Sequence, residues 1–181
     1  MTIRSVIAGA LAWSVIVMTA ATAHAQPKPA NCEAAVYRQF DFWLGQWELF
    51  EHGAAAKAAD VRIEAILDGC ALREDYSDAD GVHGTSLSSY DVRTSRWQQT
   101  WMTNRGQQVV IQGSLQGKEL VFSGWRHDGP TELLVRARWI PDGVNVRQTA
   151  ETSADNGRTW KPWFDLDFRP KPPSPRPGPN R

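Results

Sequence analysis

The chain has 181 residues, 41% of them hydrophobic, and its 20 basic and 20 acidic residues give a formal net charge of zero. Since there is no excess of basic residues, neither nucleic acid nor an anionic membrane surface is expected as a partner. The length suits one domain with an ordinary hydrophobic core, once the two terminal segments described below are set aside.

The first 25 residues have the pattern of a secretory signal peptide. Arg4 provides the positive start, an uncharged apolar run covers 5–20, and the sequence AHA at 23–25 is a small-x-small cleavage site. An uncleaved membrane anchor is the alternative, but the run is close to the lower limit of about 17 residues for a span. We therefore expect an exported protein, periplasmic or secreted, with no stable membrane span after cleavage.

Two cysteines, Cys32 and Cys70, lie in the exported part of the chain. Disulfides form and persist outside the cytosol, so we predict a bridge between them. In the chain-entropy model such a bridge stabilises the fold by about 4 kcal/mol. Two free buried thiols are the alternative.

Turn signals recur every 8 to 15 residues or so between Cys32 and Phe168, and the segments between them are rich in Val, Ile, Thr and aromatic residues. This pattern predicts about ten strands, and only 32–44 is weakly helical. A long antiparallel sheet would have two exposed edges, which closure removes. We therefore predict an all-β fold: a single antiparallel up-and-down β-barrel of about 8–10 strands with a short helical lead-in.

The predicted organisation has four parts. The signal peptide covers 1–25, the N-terminal lead-in 26–38, the barrel 39–169 and a proline-rich tail 170–181. The tail holds six of the eleven prolines and no apolar residue that a core would bury, so it is expected to be extended and disordered. A proline-motif ligand for another protein is the alternative for this tail.

Four segments carry a resemblance to a known group: FDFWLGQW (40–47), ILDGCALREDY (66–76), GTSLSSYD (84–91) and RWQQTW (96–101). Together they resemble an uncharacterised group of exported bacterial lipocalin-like proteins of the calycin type, over roughly 32–169. The resemblance implies that Gly45 lets the chain turn into the first strand and that Trp47 closes one end of the barrel. It also implies that Arg169 stacks on the Trp47 ring. A proline tail replaces the long helix that usually follows a lipocalin barrel.

Strand alternation predicts which side chains point into the barrel. Leu72, Glu74 and Tyr76 are alternate residues and therefore share one face of their strand, and alternate residues of the next two strands form similar mixed sets. Apolar walls with a few polar groups are typical of a small-molecule site. In the alternative, these polar groups face water, but that parity would expose two tryptophans on one face. The predicted ligand-binding residues are Glu74, Tyr76, Ser88, Tyr90, Trp97, Gln99, Trp101, Arg138 and Gln148.

Glu74 is also the candidate for chemistry, paired with Tyr76 or Tyr90. A buried carboxyl has a raised pKa, which suits general acid–base catalysis. Structural polar networks use the same residue types, so Glu74 and Tyr90 remain weak catalytic candidates.

Metal and cofactor signals are weak. His52, His83 and His127 are widely separated, and no histidine follows His127 to ligate a haem from the last strands. The segment 75–81 half resembles a calcium loop, but Tyr76 replaces the first ligand. Accordingly, no metal and no other cofactor is expected. The segment 153–160 resembles the Asp-box of sialidases, but a single copy is explained by a stabilised turn.

Three functions are compatible with these features. The first is an exported barrel that binds a small amphipathic or hydrophobic molecule in its interior. The second is a hydrolase or isomerase that uses a Glu/Tyr pair in the cavity. The third is a protein-interaction module without a ligand.

Overall fold

A computed structural model describes residues 32–173. Ten antiparallel strands form a closed barrel in which each strand pairs with its sequence neighbours and β10 pairs with β1. The predicted all-β up-and-down barrel is therefore confirmed. The strands are β1 (Gly45–Glu51), β2 (Lys57–Ile66), β3 (Ala71–Asp78), β4 (His83–Asp91), β5 (Arg96–Thr103), β6 (Gln108–Gln116), β7 (Glu119–Asp128), β8 (Thr131–Asp142), β9 (Asn145–Ser153) and β10 (Lys161–Pro170).

Alternation of side chains explains why these segments form the barrel wall. In β6, Val109 and Ile111 are buried while Gln108 and Gln112 are exposed. A strand with this period places one apolar face in the interior and one polar face in water. Closure pairs the first strand with the last, with Leu49 opposite Phe168, and so removes the edges of the sheet.

The lead-in packs inside one end of the barrel. It forms two 3₁₀ turns, Ala35–Arg38 and Asp41–Trp43, and a third such turn, Leu67–Gly69, joins β2 to β3. The Phe40 ring is fully buried and contacts several other rings. We call this end, where β1 begins and β10 ends, the base, and the opposite end the mouth. The aromatic plug at the base consists of Phe40, Trp43, Trp97, Phe122, Trp139 and Phe168.

Trp47 lies at the base beside the plug. Its Nε1 donates a hydrogen bond to the Trp43 carbonyl at 2.9 Å, and its ring meets Phe168 edge-on. Gly45 has φ +144°, and a Cβ there would lie 3.4 Å from the Trp47 ring. A residue other than glycine would therefore be strained where the chain enters β1.

The prediction that Arg169 stacks on the Trp47 ring was wrong. Arg169 pairs with Glu48 rather than with Trp47, so it lies on the opposite face of the sheet. Its guanidinium carbon stacks 4.0 Å from the centre of the Phe50 ring. This cation–π contact fastens β10 to β1 on the outside of the barrel.

The predicted disulfide is confirmed. Cys32 and Cys70 are bonded, with their Cα atoms 5.0 Å apart. Arg38 reinforces the link, since its Nη2 donates to the carbonyls of Cys32 at 3.3 Å and Gly69 at 2.5 Å. The lead-in is thus tied to the turn between β2 and β3.

The last strand extends slightly beyond the predicted barrel boundary at residue 169. Pro170 still pairs with Trp47, and the Lys171 amide donates to the Gln46 carbonyl at 2.8 Å. The predicted signal peptide, residues 26–31 and the tail from 174 onward lie outside the described residues. Within 32–173, no helix has the length and apolar character needed to cross a membrane.

Candidate functional site

A cavity of about 210 Å³ lies between the aromatic plug and the mouth. Plug rings such as Trp139 and Phe168 form its floor, its other walls come mainly from the middle and mouth-side parts of the strands, and most of its lining side chains are apolar. It is lined by Leu49, Glu74, Tyr76, Gln99, Trp101, Gln107, Val109, Ile111, Val135, Ala137, Trp139, Gln148, Trp163, Phe164, Leu166 and Phe168. The barrel interior is therefore filled at the base and hollow toward the mouth.

The predicted inward parity matches the burial of the side chains. On β3 and β4, Glu74 and Ser86 are buried and directly opposite each other. On β4 and β5, the buried Ser88 and Gln99 are opposite each other, and Gln99 Nε2 donates to Ser88 Oγ at 3.1 Å. Two polar pairs thus run along one inner wall of an otherwise apolar interior.

The structure divides the predicted ligand-binding residues into three groups. The first lines the cavity, and the second lies deeper, toward the base. Tyr90 packs against Tyr37 and Trp97 there, and Ser88 is held by Gln99. The lining group is Glu74, Tyr76, Gln99, Trp101 and Gln148, and the deeper group is Ser88, Tyr90 and Trp97.

The third group consists of Arg138 alone. The prediction that it points into the cavity was wrong. Its neighbours Ala137 and Trp139 are buried and point inward, so alternation turns Arg138 outward. Its Nη1 donates to Glu119 Oε2 at 3.1 Å on the outer surface.

Glu74 is the buried ionisable group of the cavity. Ser86 Oγ donates a hydrogen bond to Glu74 Oε2 at 2.7 Å. Burial raises the pKa of Glu74 to about 7, the nearby Asp75 charge adds to the rise, and the Ser86 hydrogen bond opposes it. Near neutral pH this carboxyl can therefore either accept or donate a hydrogen bond.

Tyr90 is not a partner of Glu74, contrary to the pairing expected from the sequence. Glu74 faces Ser86, and Tyr90 lies four residues farther along β4 toward the base, roughly 13 Å away at about 3.3 Å per residue. The hydroxyl within hydrogen-bond distance of Glu74 is that of Ser86.

Tyr76 supports the cavity wall. Its hydroxyl donates to Asp78 Oδ2 at 3.2 Å, and its ring packs edge-on against Trp101, with centroids 5.7 Å apart. Burial, together with the Asp78 charge, raises the pKa of Tyr76 to about 12. Its phenol therefore stays neutral at physiological pH and positions the Trp101 indole.

Gly84 makes room for the same indole. A Cβ at Gly84 would lie 2.3 Å from the Trp101 ring, a distance at which atoms overlap. The cross-strand position next to Trp101 therefore requires glycine, which lets the indole lie flat against β4.

Several cavity residues were missed by the sequence analysis. Trp163 and Phe164 both line the cavity, although adjacent strand residues normally face opposite sides. The register of β10 shifts between Pro162 and Phe164, and this bulge turns both rings toward the interior. The aromatic pair in the segment WFDLDF was the available signal, but the position of a bulge does not follow from alternation.

Arg126 was also missed. It is not itself a lining residue of the cavity, but it lies toward the mouth end of β7 beside two residues that are. It shares the inward parity of Leu120 and Phe122 and pairs with the cavity residue Val109. Its guanidinium carbon lies 4.2 Å from the Trp163 ring centre, and its side chain is 13% exposed. Extending the alternation of β7 beyond Phe122 would have identified Arg126.

Turns at the mouth account for the two partial motifs of the sequence, the calcium-loop-like segment 75–81 and the Asp-box-like segment 153–160. Asp78 Oδ1 accepts hydrogen bonds from the amides of Asp80 and Val82, both at 2.9 Å. Asp155 similarly accepts from the Thr159 amide at 2.8 Å and from its hydroxyl at 2.6 Å. Both carboxylates close turns. In the part of the chain that the structure describes, no group of His, Cys, Asp and Glu could hold a metal ion.

The outer wall has exposed apolar side chains in one cross-strand row. Val110 pairs with Trp125, and both are more than two-fifths exposed, as is Leu87, which is separated from Val110 by Thr100. This row is the feature that the interaction-module hypothesis requires, but a cavity is present as well.

Comparisons with known proteins add no assignment: no family model matches the chain, and no curated protein is similar to it. The fold and the geometry of the cavity are therefore the basis for a functional proposal.

Proposed function

We propose that the protein is an exported barrel that binds a small amphipathic or hydrophobic molecule in its interior. The observation that carries this proposal is the cavity of about 210 Å³ above the aromatic plug. Small-molecule sites combine apolar walls with a few placed polar groups. The disulfide supports the exported location, since such bonds are rare in cytosolic proteins.

The composition of the walls favours an amphipathic molecule. The rings of Trp101, Trp139 and Trp163 offer apolar contact, while the side chains of Glu74 and Gln99 supply polar groups. A ligand with a polar atom can hydrogen-bond to these polar side chains, whereas a hydrocarbon cannot, so the walls favour an amphipathic molecule.

The size of the cavity limits the ligand. Sites for drug-sized molecules have volumes of about 300–1,000 Å³, and this cavity is smaller. A short alkyl chain or a single substituted ring fits this limit. A steroid, a tetrapyrrole or a long fatty acid does not fit without movement of the walls.

Tryptophan fluorescence tests the proposal directly, because three cavity walls are indoles. Titration with octan-1-ol should shift or quench the emission with a saturable dependence. Ala137→Leu fills the cavity and should weaken binding about tenfold or more, since it removes space that the probe requires. Arg138→Leu adds the same side chain one residue away on the outer face, so it serves as the matched control. Equal binding by both variants would contradict an interior site.

An acid–base enzyme is the second candidate, and the Glu74–Ser86 pair is the observation that favours it. The pair presents a carboxyl with a pKa of about 7 on a cavity wall, which suits proton transfer at neutral pH. A screen of small esters and enolisable ketones with the wild type and Glu74→Gln tests this candidate. Turnover that Glu74→Gln does not reduce would exclude Glu74 as the catalyst.

A further inference from the structure

We propose that the ligand of this cavity carries a carboxylate or a similar small anionic group, and that Arg126 holds this group at the mouth. The inference rests on the proposed function and specifies the chemical class of the ligand. It also assigns a polarity to the binding mode, with the acidic end outward and the apolar body against the indoles.

Arg126 is placed as a binding residue would be. It pairs in register with Val109 and stacks 4.2 Å from the centre of the Trp163 ring, and both partners are cavity walls. The contact packs the guanidinium against the indole of Trp163. A guanidinium held in this way is pre-organised to donate two parallel hydrogen bonds to a carboxylate.

The hydrogen bonding of Arg126 is incomplete, in contrast to that of Arg136 and Arg147 on the outer wall. Arg136 and Arg147 each have a nitrogen 2.6 Å from a carboxylate oxygen. By contrast, the carboxylate beside Arg126 is Asp128, 3.9 Å away, and its side chain is 68% exposed. The Nε of Arg126 is buried and has no hydrogen-bond partner within 32–173. A largely buried cation with unused donors is costly unless an anion pairs with it.

The charges inside the cavity set the direction of the ligand. Glu74 and Arg126 lie in one cross-strand row that runs through Ser86, Trp101 and Val109. Three strands, β4, β5 and β6, lie between the strands of the two groups, so Glu74 and Arg126 occupy different walls. A carboxylate directed toward Glu74 would meet a like charge whenever Glu74 is ionised. The same carboxylate directed toward Arg126 meets an opposite charge and unused donors.

The size limit makes the expected class short-chain or single-ring carboxylic acids. The ring or chain of such an acid lies between Trp101 and Trp163, with its polar end at Arg126. The probes are therefore two matched pairs: octanoate with octan-1-ol, and 3-phenylpropanoate with 3-phenylpropan-1-ol. Within each pair only the polar group differs.

Isothermal titration of the mature protein at pH 7 tests the inference. Wild type should bind each acid about tenfold or more tightly than its alcohol, because hydrogen bonds to charged groups are the stronger ones. Arg126→Gln should remove this preference while alcohol binding persists. Arg126→Lys keeps the charge but loses the planar fork, so it should retain part of the preference. Arg138→Gln, on the outer wall, is the matched control and should behave as wild type.

The outcomes distinguish the inference from the proposed function. If acid and alcohol bind equally well to wild type, or if Arg126→Gln retains the full preference, the inference is wrong and the interior site stands. If no acid and no alcohol binds to wild type, the proposed function fails and the inference fails with it. A thermal unfolding curve shows whether Arg126→Gln is folded. If it is not, Arg126→Lys and Asp128→Asn decide whether Arg126 holds the acidic group. Asp128→Asn should strengthen acid binding, because it removes the competing carboxylate, and unchanged or weaker acid binding would count against Arg126.

Discussion

At the scale of single residues, Glu74 links the stability of the barrel to pH. Its carboxyl is buried with Ser86 as its hydrogen-bonding hydroxyl, and its pKa is raised from 4.5 to about 7. Between these two values the folded protein binds a proton that the unfolded chain has released. Stability from this group is therefore fully present below pH 4.5 and declines as the pH rises to about 7.

Glu74→Gln should remove this pH dependence. The amide has the shape of the protonated carboxyl and does not ionise. The wild type should therefore lose roughly 3 kcal/mol of its free energy of unfolding between pH 4.5 and pH 8 that the variant keeps. Urea unfolding at both pH values, with Glu119→Gln as a surface control, measures the effect. A wild type whose stability relative to Glu74→Gln is the same at both pH values would contradict a raised pKa.

Arg126 and Arg138 show what parity can decide at the residue scale. Both are arginines in neighbouring strands, yet Arg126 packs on the cavity residue Trp163 while Arg138 pairs with Glu119 on the outer surface. Parity is fixed by which neighbours are buried. In β8 the neighbours Ala137 and Trp139 are buried, and this apolar pair was the available sequence signal that the prediction for Arg138 overlooked.

At the scale of elements, the lead-in behaves as part of the core. Phe40 stacks on Trp43 and contacts Trp97, Phe122 and Trp139. A segment before the first strand thus supplies the centre of the plug and forms the floor under the cavity. The disulfide holds this segment to the turn after β2.

Phe40→Ala should destabilise the protein by about 3–5 kcal/mol, because it leaves a large void among rings that cannot collapse together. Phe42→Ala is the matched control. Phe42 is only partly buried and packs against Phe40 at 5.7 Å, so its truncation should cost clearly less. Chemical denaturation of both variants measures the difference. Equal costs would show that the lead-in lies on the surface rather than inside the base.

The sequence predicted the strands and their inward faces better than it predicted the bulge in β10 and the register between β10 and β1. Regular alternation in β3, β4 and β5 was enough to place Glu74, Gln99 and Trp101 on the interior face. Irregular elements were beyond such reasoning. The bulge in β10 brings Trp163 into the cavity, and the position of Arg169 over Phe50 depends on the register between β10 and β1. The bulge and the register both depend on how distant segments pair, and the two-residue alternation within one strand does not specify that pairing.

At the scale of the whole molecule, the barrel interior has two different halves. Aromatic rings fill the base and give the domain its core, while the mouth half keeps a cavity with Glu74 on one wall and Arg126 at the rim. A barrel that only served as a rigid interaction module would not require this division. The exposed row that includes Leu87, Val110 and Trp125 lies on the outer wall, and binding inside the barrel leaves it free.

Native mass spectrometry of the disulfide-bonded protein tests the central claim most directly. The account predicts a complex heavier than the chain by one small molecule. That molecule should be released on denaturation, and its occupancy should fall in Ala137→Leu but remain unchanged in Arg138→Leu. A native mass equal to that of the chain alone in wild type and in both variants would contradict a ligand-binding interior.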